Sequence, residues 1–522
     1  MRRMSSPIRS ILVVGGGTAG WLTAAFLART LGPRMAITLV EPPTFGVIGA
    51  GEGSFPSLRG TLAAIGIPEA ELVRDGGATF KQGIRFDHWV RPPGTPGHDH
   101  FLHPFNPPSQ RPGGPELLPY WLLGQGCRDA AFAQAATMQK RVADARRAPK
   151  RDVDADYQGP MDYAYHFDAA RLATLLAKAA KALGVQHKLA KVEGAELDES
   201  GAIARVRTAE LGPLEADFYI DCSGQRALLI GEALGSKLRP LHNVLLADRA
   251  LTVQLPYARP DAPIASYTIA TAHEAGWTWD IGLQERRSVG HVYSSRHTSD
   301  RRAEAVLRAH LGTGVNDLPV RHLKLPVGYR DVQWKRNCVA VGPASGYIEP
   351  LEASGIGLIE TAASLVGCLF PFDGNLEPAA KRFNAVMKQR YERIVDFVKM
   401  HYCLSQRSDS SFWADNADPS TIPATLQERL SQWRCRAPHR LDFIADVEMY
   451  PPSSWQYVLY GMEFKTELGL AQAALTRGAD ARQEFAMLRQ VSERALLDLP
   501  DHRAYVTKLS ARADARAVAA PP

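Results

Sequence analysis

The sequence predicts an α/β protein: a Rossmann-like dinucleotide-binding module with an intimately packed β-rich and helical module. Three stretches predict it. Ile11 to Val14 is a short β-rich run that enters Gly15-Gly16-Gly17-Thr18-Ala19-Gly20 and continues into an Ala- and Leu-rich helix from Trp21 to Thr30. This is the GxGxxG pattern in the setting it needs, strand before and helix after. FYIDCSGQRALL, from Phe218, reads as a strand running into a glycine turn. RNCVAVGPASGYIEPLEASGIGLIETAASLV, from Arg336, reads as a strand, a Gly-rich loop and a long apolar helix.

In the first unit, Gly15 allows the tight turn, Gly17 lets backbone approach a pyrophosphate, and Gly20 permits close helix packing. Thr18 and Ala19 open the helix whose N-terminus faces the phosphate charge. A second strand, MAITLVE, ends in Glu41, placed to accept ribose hydroxyls. No second GxGxxG follows, so the chain has one dinucleotide site and no separate NAD(P)H fold. Strand–glycine–helix units towards both ends with a β-rich middle are the arrangement of FAD-dependent hydroxylase folds, an analogy at the level of fold. YHFDAARLATLLAKAAKALGV reads as an amphipathic helix, with Asp168 as N-cap, Leu172, Leu175, Leu176, Ala179 and Leu183 on one stripe, and Gly184 as its stop. GWTWDIGL, from Gly276, reads as a strand with Trp277, Trp279 and Ile281 on one face, a bulky apolar wall. On that strand alone, a core packing role is the simpler reading.

At 522 residues the chain is too long for one simple core. Residues 8–62, 155–250 and 330–400 are assigned to the dinucleotide module. Residues 63–154, 251–329 and 401–510 are assigned to the substrate module, and 511–522 to a flexible tail. The Pro- and Gly-rich connection over 87–115 would line the substrate pocket. A formal charge of +6, with acids interspersed, gives no nucleic-acid footprint. Six scattered cysteines without a CxxC pair argue against a disulfide framework or a zinc site, and fit reduced thiols. His98, His100 and His103 lack the partners of a metal site. The N-terminal apolar run is too short for an export signal, and no window offers the ~18 apolar residues of a membrane helix. The composition therefore predicts a soluble, cytoplasmic protein.

Several stretches coincide, in order, with one family. GGGTAGW, GEGS after Ile48-Gly49-Ala50, FKQGIRFDHW, AYHFDA, DCSGQRALLI, WTWDIGL, EPLEASGI and SDSSFWADN together resemble the flavin-dependent halogenases of the tryptophan-halogenase type. The family's paired-tryptophan strand reads WxWxIP; here Gly282 stands in place of the proline. The resemblance implies an enzyme that takes reduced FAD from a separate flavin reductase and uses O2 and halide to make hypohalous acid at the flavin. That oxidant would reach a lysine beside an electron-rich, indole-like aromatic substrate. Gly15, Gly17, Thr18, Ala19, Gly20, Glu41, Ile48, Ala50, Pro343 and Ile356 would hold the FAD. Trp277 and Trp279 would form the barrier between flavin and substrate.

Lys81 matches the family's lysine. An ammonium there can hydrogen-bond hypohalous acid, and a neutral amine, favoured by burial, can carry halogen on nitrogen. Glu352 matches the second catalytic residue; a carboxylate can stabilise the cationic ring and accept the proton lost on rearomatisation. A first-turn acid on the following helix is the plainer reading of Glu352, and Glu349 is the neighbouring alternative. Ser354 and Gly355 fall where the family binds halide through backbone N–H groups, or where Ser354 would simply cap the helix. Nothing in the pair separates chloride from bromide. His103 and Phe105 match the substrate-flanking pair, an aromatic sandwich, against an irregular loop as the alternative.

The region HRLDFIADVEMYPPSSWQYVLYG does not reproduce the clamp that family members place on the amino-acid end of tryptophan. Free tryptophan is therefore not the expected substrate; an indole without that group, or a larger indole- or phenol-containing molecule, is. The competing readings are an FAD-dependent aromatic monooxygenase and a non-catalytic flavin-binding protein. A homodimer is compatible with the sequence.

Overall fold

The computed structural model describes residues 7–43, 51–126, 130–313, 315 and 317–519. The chain divides into two compact units, each made of three segments. The first comprises Met1–Ala78, Phe167–Leu241 and Pro326–Glu392; the second comprises Thr79–His166, His242–Leu325 and Arg393–Pro522.

The first unit is built on a six-stranded sheet in the order Trp334–Lys335, Cys338–Ala340, Phe218–Asp221, Ser10–Val14, Ala36–Glu41, Gln186–Leu189. Every neighbouring pair is parallel except the first. A parallel strand buried on both faces needs an unbroken apolar run, and Ile11 to Val14 supplies one. Helix Thr18–Leu31 follows and packs against helices Ala169–Ala182 and Ser354–Cys368. The turn between strand and helix depends on glycine. Gly15 has φ +114°, and a β-carbon on Gly20 would stand 1.8 Å from the Gly15 carbonyl oxygen. Asp168 caps its helix as the sequence requires, accepting from the N–H groups of Ala170 and Arg171.

Asp221, fully buried at the end of its strand, organises the next turn. Its Oδ1 accepts from the backbone N–H and hydroxyl of Ser223, and its Oδ2 from the N–H groups of Leu229 and Ile230. Asp221→Ala strands these buried donors. It is expected to lower unfolding stability by about 3 kcal/mol, read as a shift in the denaturant midpoint.

The second unit holds a seven-stranded sheet in the order Arg321–Lys324, Arg249–Pro256, Arg286–Tyr293, Gly276–Gly282, Thr268–His273, Gly83–Asp87, His100–Pro104. All pairs are antiparallel except Thr268–His273 with Gly83–Asp87. The Pro- and Gly-rich connection is thus not wholly irregular, because His100–Pro104 forms an edge strand within it. Helix Gly478–Asp498 packs Ala481, Phe485 and Leu488 onto Leu117 and Tyr120.

Two further expectations change. Residues 511–519, read as a flexible tail, continue the helix His502–Ala519, consistent with the high helix propensity of their Ala and Arg. The stretch Leu351–Cys368 is long and apolar enough to cross a membrane, contrary to the reading that no window is; 61% of it is buried inside the protein, as in a core helix.

Candidate active site

The dinucleotide cradle lies in the first unit. Helix Thr18–Leu31 has Gly17 as its N-cap and no side-chain cap, so its leading N–H groups are left to a ligand or water. Glu41, at the end of the neighbouring parallel strand, extends its carboxylate over the glycine turn. A β-carbon on Gly16 would meet Glu41 Oε2 at 1.6 Å. The other oxygen, Oε1, lies 2.8 Å from His187 Nε2. Pro343 is exposed in the turn Gly342–Ala344, which packs against helix Ser354–Cys368, while Ile356 is buried in that helix. Ile48 and Ala50 lie outside the described residues. An uncapped helix start, glycines with no room for a side chain and a carboxylate at the second strand's end fit a bound dinucleotide.

In the same unit, the loop before helix Ser354–Cys368 is strained. Glu352 (φ +66°) and Ala353 (φ +51°) are consecutive non-glycine residues in the left-handed region. Such conformations cost about 1–3 kcal/mol each and persist where the surroundings over-determine them. Glu352 is 1% exposed. The helix N-cap is Ala353, and no side chain caps it, so Ser354 does not act as the capping residue. Ser354 is buried and Gly355 exposed. A left-handed residue leading into a helix presents successive N–H groups to one point, a concavity suited to an anion. Burial first, and then the Asp168 carboxylate, push the Glu52 carboxyl up to about 7. Burial, with Glu349 and Glu52 nearby, pushes the Tyr347 hydroxyl up as well.

The lysine belongs to the second unit. Thr79–Lys81 is a fully buried three-residue strand, antiparallel to Ala164–Asp168 with Thr79 opposite His166 and Lys81 opposite Ala164. Lys81 and His166 therefore share a face, one step diagonally apart. Lys81 Nζ stands 5.4 Å from the centre of the Phe105 ring. His166 Nε2 lies 2.8 Å from Thr268 Oγ1, and its Nδ1 has no hydrogen-bond partner among the described residues. Burial holds the His166 imidazole well below its ordinary value, and the nearby Lys81 adds to this.

His103 is fully buried on strand His100–Pro104, with Nε2 2.8 Å from Ser454 Oγ. Its ring meets Phe105 and Phe397 edge to face, at 6.4 and 5.9 Å, and Tyr450 stacks on Phe397 at 4.0 Å. His103 and Phe105 thus form a corner rather than two parallel plates. Phe397, Tyr450 and Ser454 were missed in the sequence. The aromatic run around Pro451-Pro452 signalled the last two, and nothing local signals Phe397.

Trp277 and Trp279 are both buried, their rings 6.3 Å apart at 59°. Their indole N–H groups have no hydrogen-bond partner among the described residues. Trp279 is paired across the ladder with Gly290, and a β-carbon there would stand 2.1 Å from its ring. Trp277 continues into Trp89 at 6.2 Å, and Trp89 into Trp413 at 5.6 Å.

The glycine turn in one unit fits the dinucleotide-binding class of α/β enzymes, and the other unit holds a buried lysine with aromatic neighbours. Residues 10–474 match the tryptophan halogenase family model. The tryptophan 6-halogenase of Streptomyces toxytricini is 33% identical over 527 residues, 96% of this chain and 98% of that one. The tryptophan 7-halogenase of Lentzea aerocolonigenes is 33% identical over 460 residues, 86% of each chain. The crystal structure of a tryptophan halogenase from Shewanella frigidimarina superposes with TM-score 0.93 at 38% identity, covering 97% of this chain and 98% of that one. The chain belongs to the tryptophan halogenase family, and it is a flavin-dependent halogenase, a class that implies FAD. Relatives of equal identity are named for different ring positions, so overall similarity does not carry the position of substitution to this chain.

Proposed function

We propose that the protein is a FADH2- and O2-dependent halogenase that makes hypohalous acid at the flavin and halogenates an electron-rich, indole-like aromatic through Lys81 and Glu352. The observation that carries this reading is Lys81 itself: a fully buried lysine facing the Phe105 ring and sharing a face with the buried His166. A surface lysine needs no such setting, whereas a carrier of hypohalous acid needs one that excludes water and competing nucleophiles.

When bound and reduced, FAD would supply two of the four electrons that O2 accepts; halide supplies the other two as it becomes hypohalous acid, and the second oxygen leaves as water. Gly15, Gly17, Thr18, Ala19, Gly20 and Glu41, with Ile48, Ala50, Pro343 and Ile356, would hold it. Ser354 and Gly355 bind the halide through the uncapped helix start. Trp277 and Trp279 keep the aromatic substrate from the flavin. Lys81 Nζ holds hypohalous acid by a hydrogen bond, or carries its halogen on nitrogen. An electron pair of the ring bonds the halogen, and the O–X or N–X pair stays on the leaving atom. The Glu352 carboxylate then takes the ring proton. His103 and Phe105 position the ring. The single dinucleotide fingerprint supports a separate reductase. The free thiols Cys222, Cys338, Cys368, Cys403 and Cys435 fit a cytoplasmic setting.

Free tryptophan is not the substrate we assign. The reading rests on the segment around Pro451-Pro452, which does not reproduce the clamp that family members place on the amino-acid end of tryptophan. Indole and tryptophan, supplied with bromide and a flavin reductase, are expected to separate by mass spectrometry. Indole should give the bromine isotope doublet at the higher rate. Faster turnover of tryptophan overturns the substrate reading. A product carrying one added oxygen makes the protein a hydroxylase, and FAD binding without any product makes it a binding protein.

A further inference from the structure

The strand that carries Lys81 has only three residues, and its ladder leaves the Phe80 N–H on the outer edge. A buried donor must find an acceptor. Here it finds one 422 residues away: the Phe80 N–H donates to His502 Nε2 at 3.0 Å. Because Nε2 accepts, the ring proton sits on Nδ1, which donates to the Ile264 carbonyl at 3.1 Å. His502 is 0% exposed, and burial pushes its imidazole down to about 4, so the ring stays neutral.

The same loop takes hold of Lys81 from its other side. The Gln82 N–H donates to the Ser266 carbonyl at 2.6 Å, and its side-chain amide reaches Ser266 Oγ and the Arg147 carbonyl. One residue further back, the Thr79 hydroxyl donates to the Gly282 carbonyl, at the end of the tryptophan strand, at 2.7 Å. Helix His502–Ala519 packs on the lysine strand, with Tyr505 and His502 against the Phe80 ring. The residues flanking Lys81 are therefore fastened to the segment 264–266, on one side directly and on the other through a single imidazole.

We infer that His502 is a positioning residue for Lys81: its neutral ring bridges the lysine strand to Ile264 and thereby aims Nζ. The inference rests on the reading of Lys81 as the halogen carrier. No local pattern around residue 502 announces this role, and the extreme C-terminal helix becomes part of the active-site support.

Two conservative variants divide the bridge. In His502→Gln, the amide oxygen reaches the place of Nε2 and still accepts from Phe80. In His502→Asn, the shorter amide reaches the place of Nδ1 and keeps only the Ile264 bond. The readout is halogenated indole formed per hypohalous acid released, the latter caught by a dye that responds to oxidised halide, with bromide and a flavin reductase. Both variants are expected to keep FAD affinity and hypohalous acid output within about twofold. The product ratio should fall at least about tenfold in His502→Asn, since an ångström of misplacement is enough for such losses. It should recover to at least about half in His502→Gln. Equal ratios in the two variants, or an unchanged ratio in His502→Asn, overturn the inference.

A second measurement needs no variant to be active. Nitrogen-15 spectra of histidine-labelled wild-type protein, with His502 identified by its loss in His502→Gln or by sequential assignment, are expected to show the Nδ1–H tautomer. A charged ring or the Nε2–H tautomer overturns the bridge. Were wild-type protein to yield no halogenated product, the functional reading would fail, while the tautomer would still decide the bridge.

Discussion

Lys81→Ala is expected to lower halogenated product at least about a hundredfold, the scale of losing a positioned group that handles the reacting atoms. FAD binding and flavin oxidation should persist, because Gly15 to Gly20, Glu41 and the uncapped helix start are untouched. Hypohalous acid should then leave the protein instead of reaching carbon, so the oxidant-trapping signal rises as product falls. Lys81→Met is the sharper form of the test. It fills nearly the same volume between strand and Phe105 but has no nitrogen, so loss of product without loss of thermal stability isolates the amine. Persistent product in either variant removes Lys81 from the mechanism.

Acid is expected to soften the second unit while the first gains. Burial holds His273 down to about 2 and His291 and His502 to about 4, and it lowers His310 and His166 as well. The folded values lie below the unfolded value near 6.5, so the unfolded chain binds the extra protons. Stability from these groups is present above pH ~6.5 and is lost as pH falls toward the folded values, by up to about 1.4 kcal/mol per group for each unit. Asp396, raised to about 6 mainly by burial, offsets only part of this. In the first unit the sign reverses. Glu52 and Glu360 are raised to about 7 by burial, so their contribution grows as pH falls from 7 toward 4.5. Hydrogen exchange at pH 7 and pH 5, corrected for intrinsic rates, should show the strands Thr268–His273, Gly276–Gly282 and Arg286–Tyr293 losing protection relative to Ser10–Val14. Uniform loss in both units contradicts the assignment.

What could be read from the sequence was local. Ile11 to Gly20 carries its turn, its helix start and its phosphate geometry within ten residues, so strand, glycines and helix were legible together. Asp168 was legible as an N-cap through the amphipathic stripe it precedes. His502 and Phe397 were not. Each meets its partner hundreds of residues away, and a lone histidine at a helix start has no periodicity to betray it. The exchange of proline for Gly282 was visible, but its reason was not. A β-carbon there would meet Ile264 Cγ2 at 2.8 Å and the Tyr257 hydroxyl at 3.0 Å, so the space is already occupied.

The indole of Trp279 rests in the place a side chain at 290 would take, which makes the width of the proposed barrier a property of a cross-strand couple. Shrinking the tryptophan alone opens a gap. Enlarging the glycine alone expels the ring. Only a reciprocal exchange, bulk moved from one strand to its neighbour, could redraw the partition while keeping it closed, so drift at either position is constrained by the other.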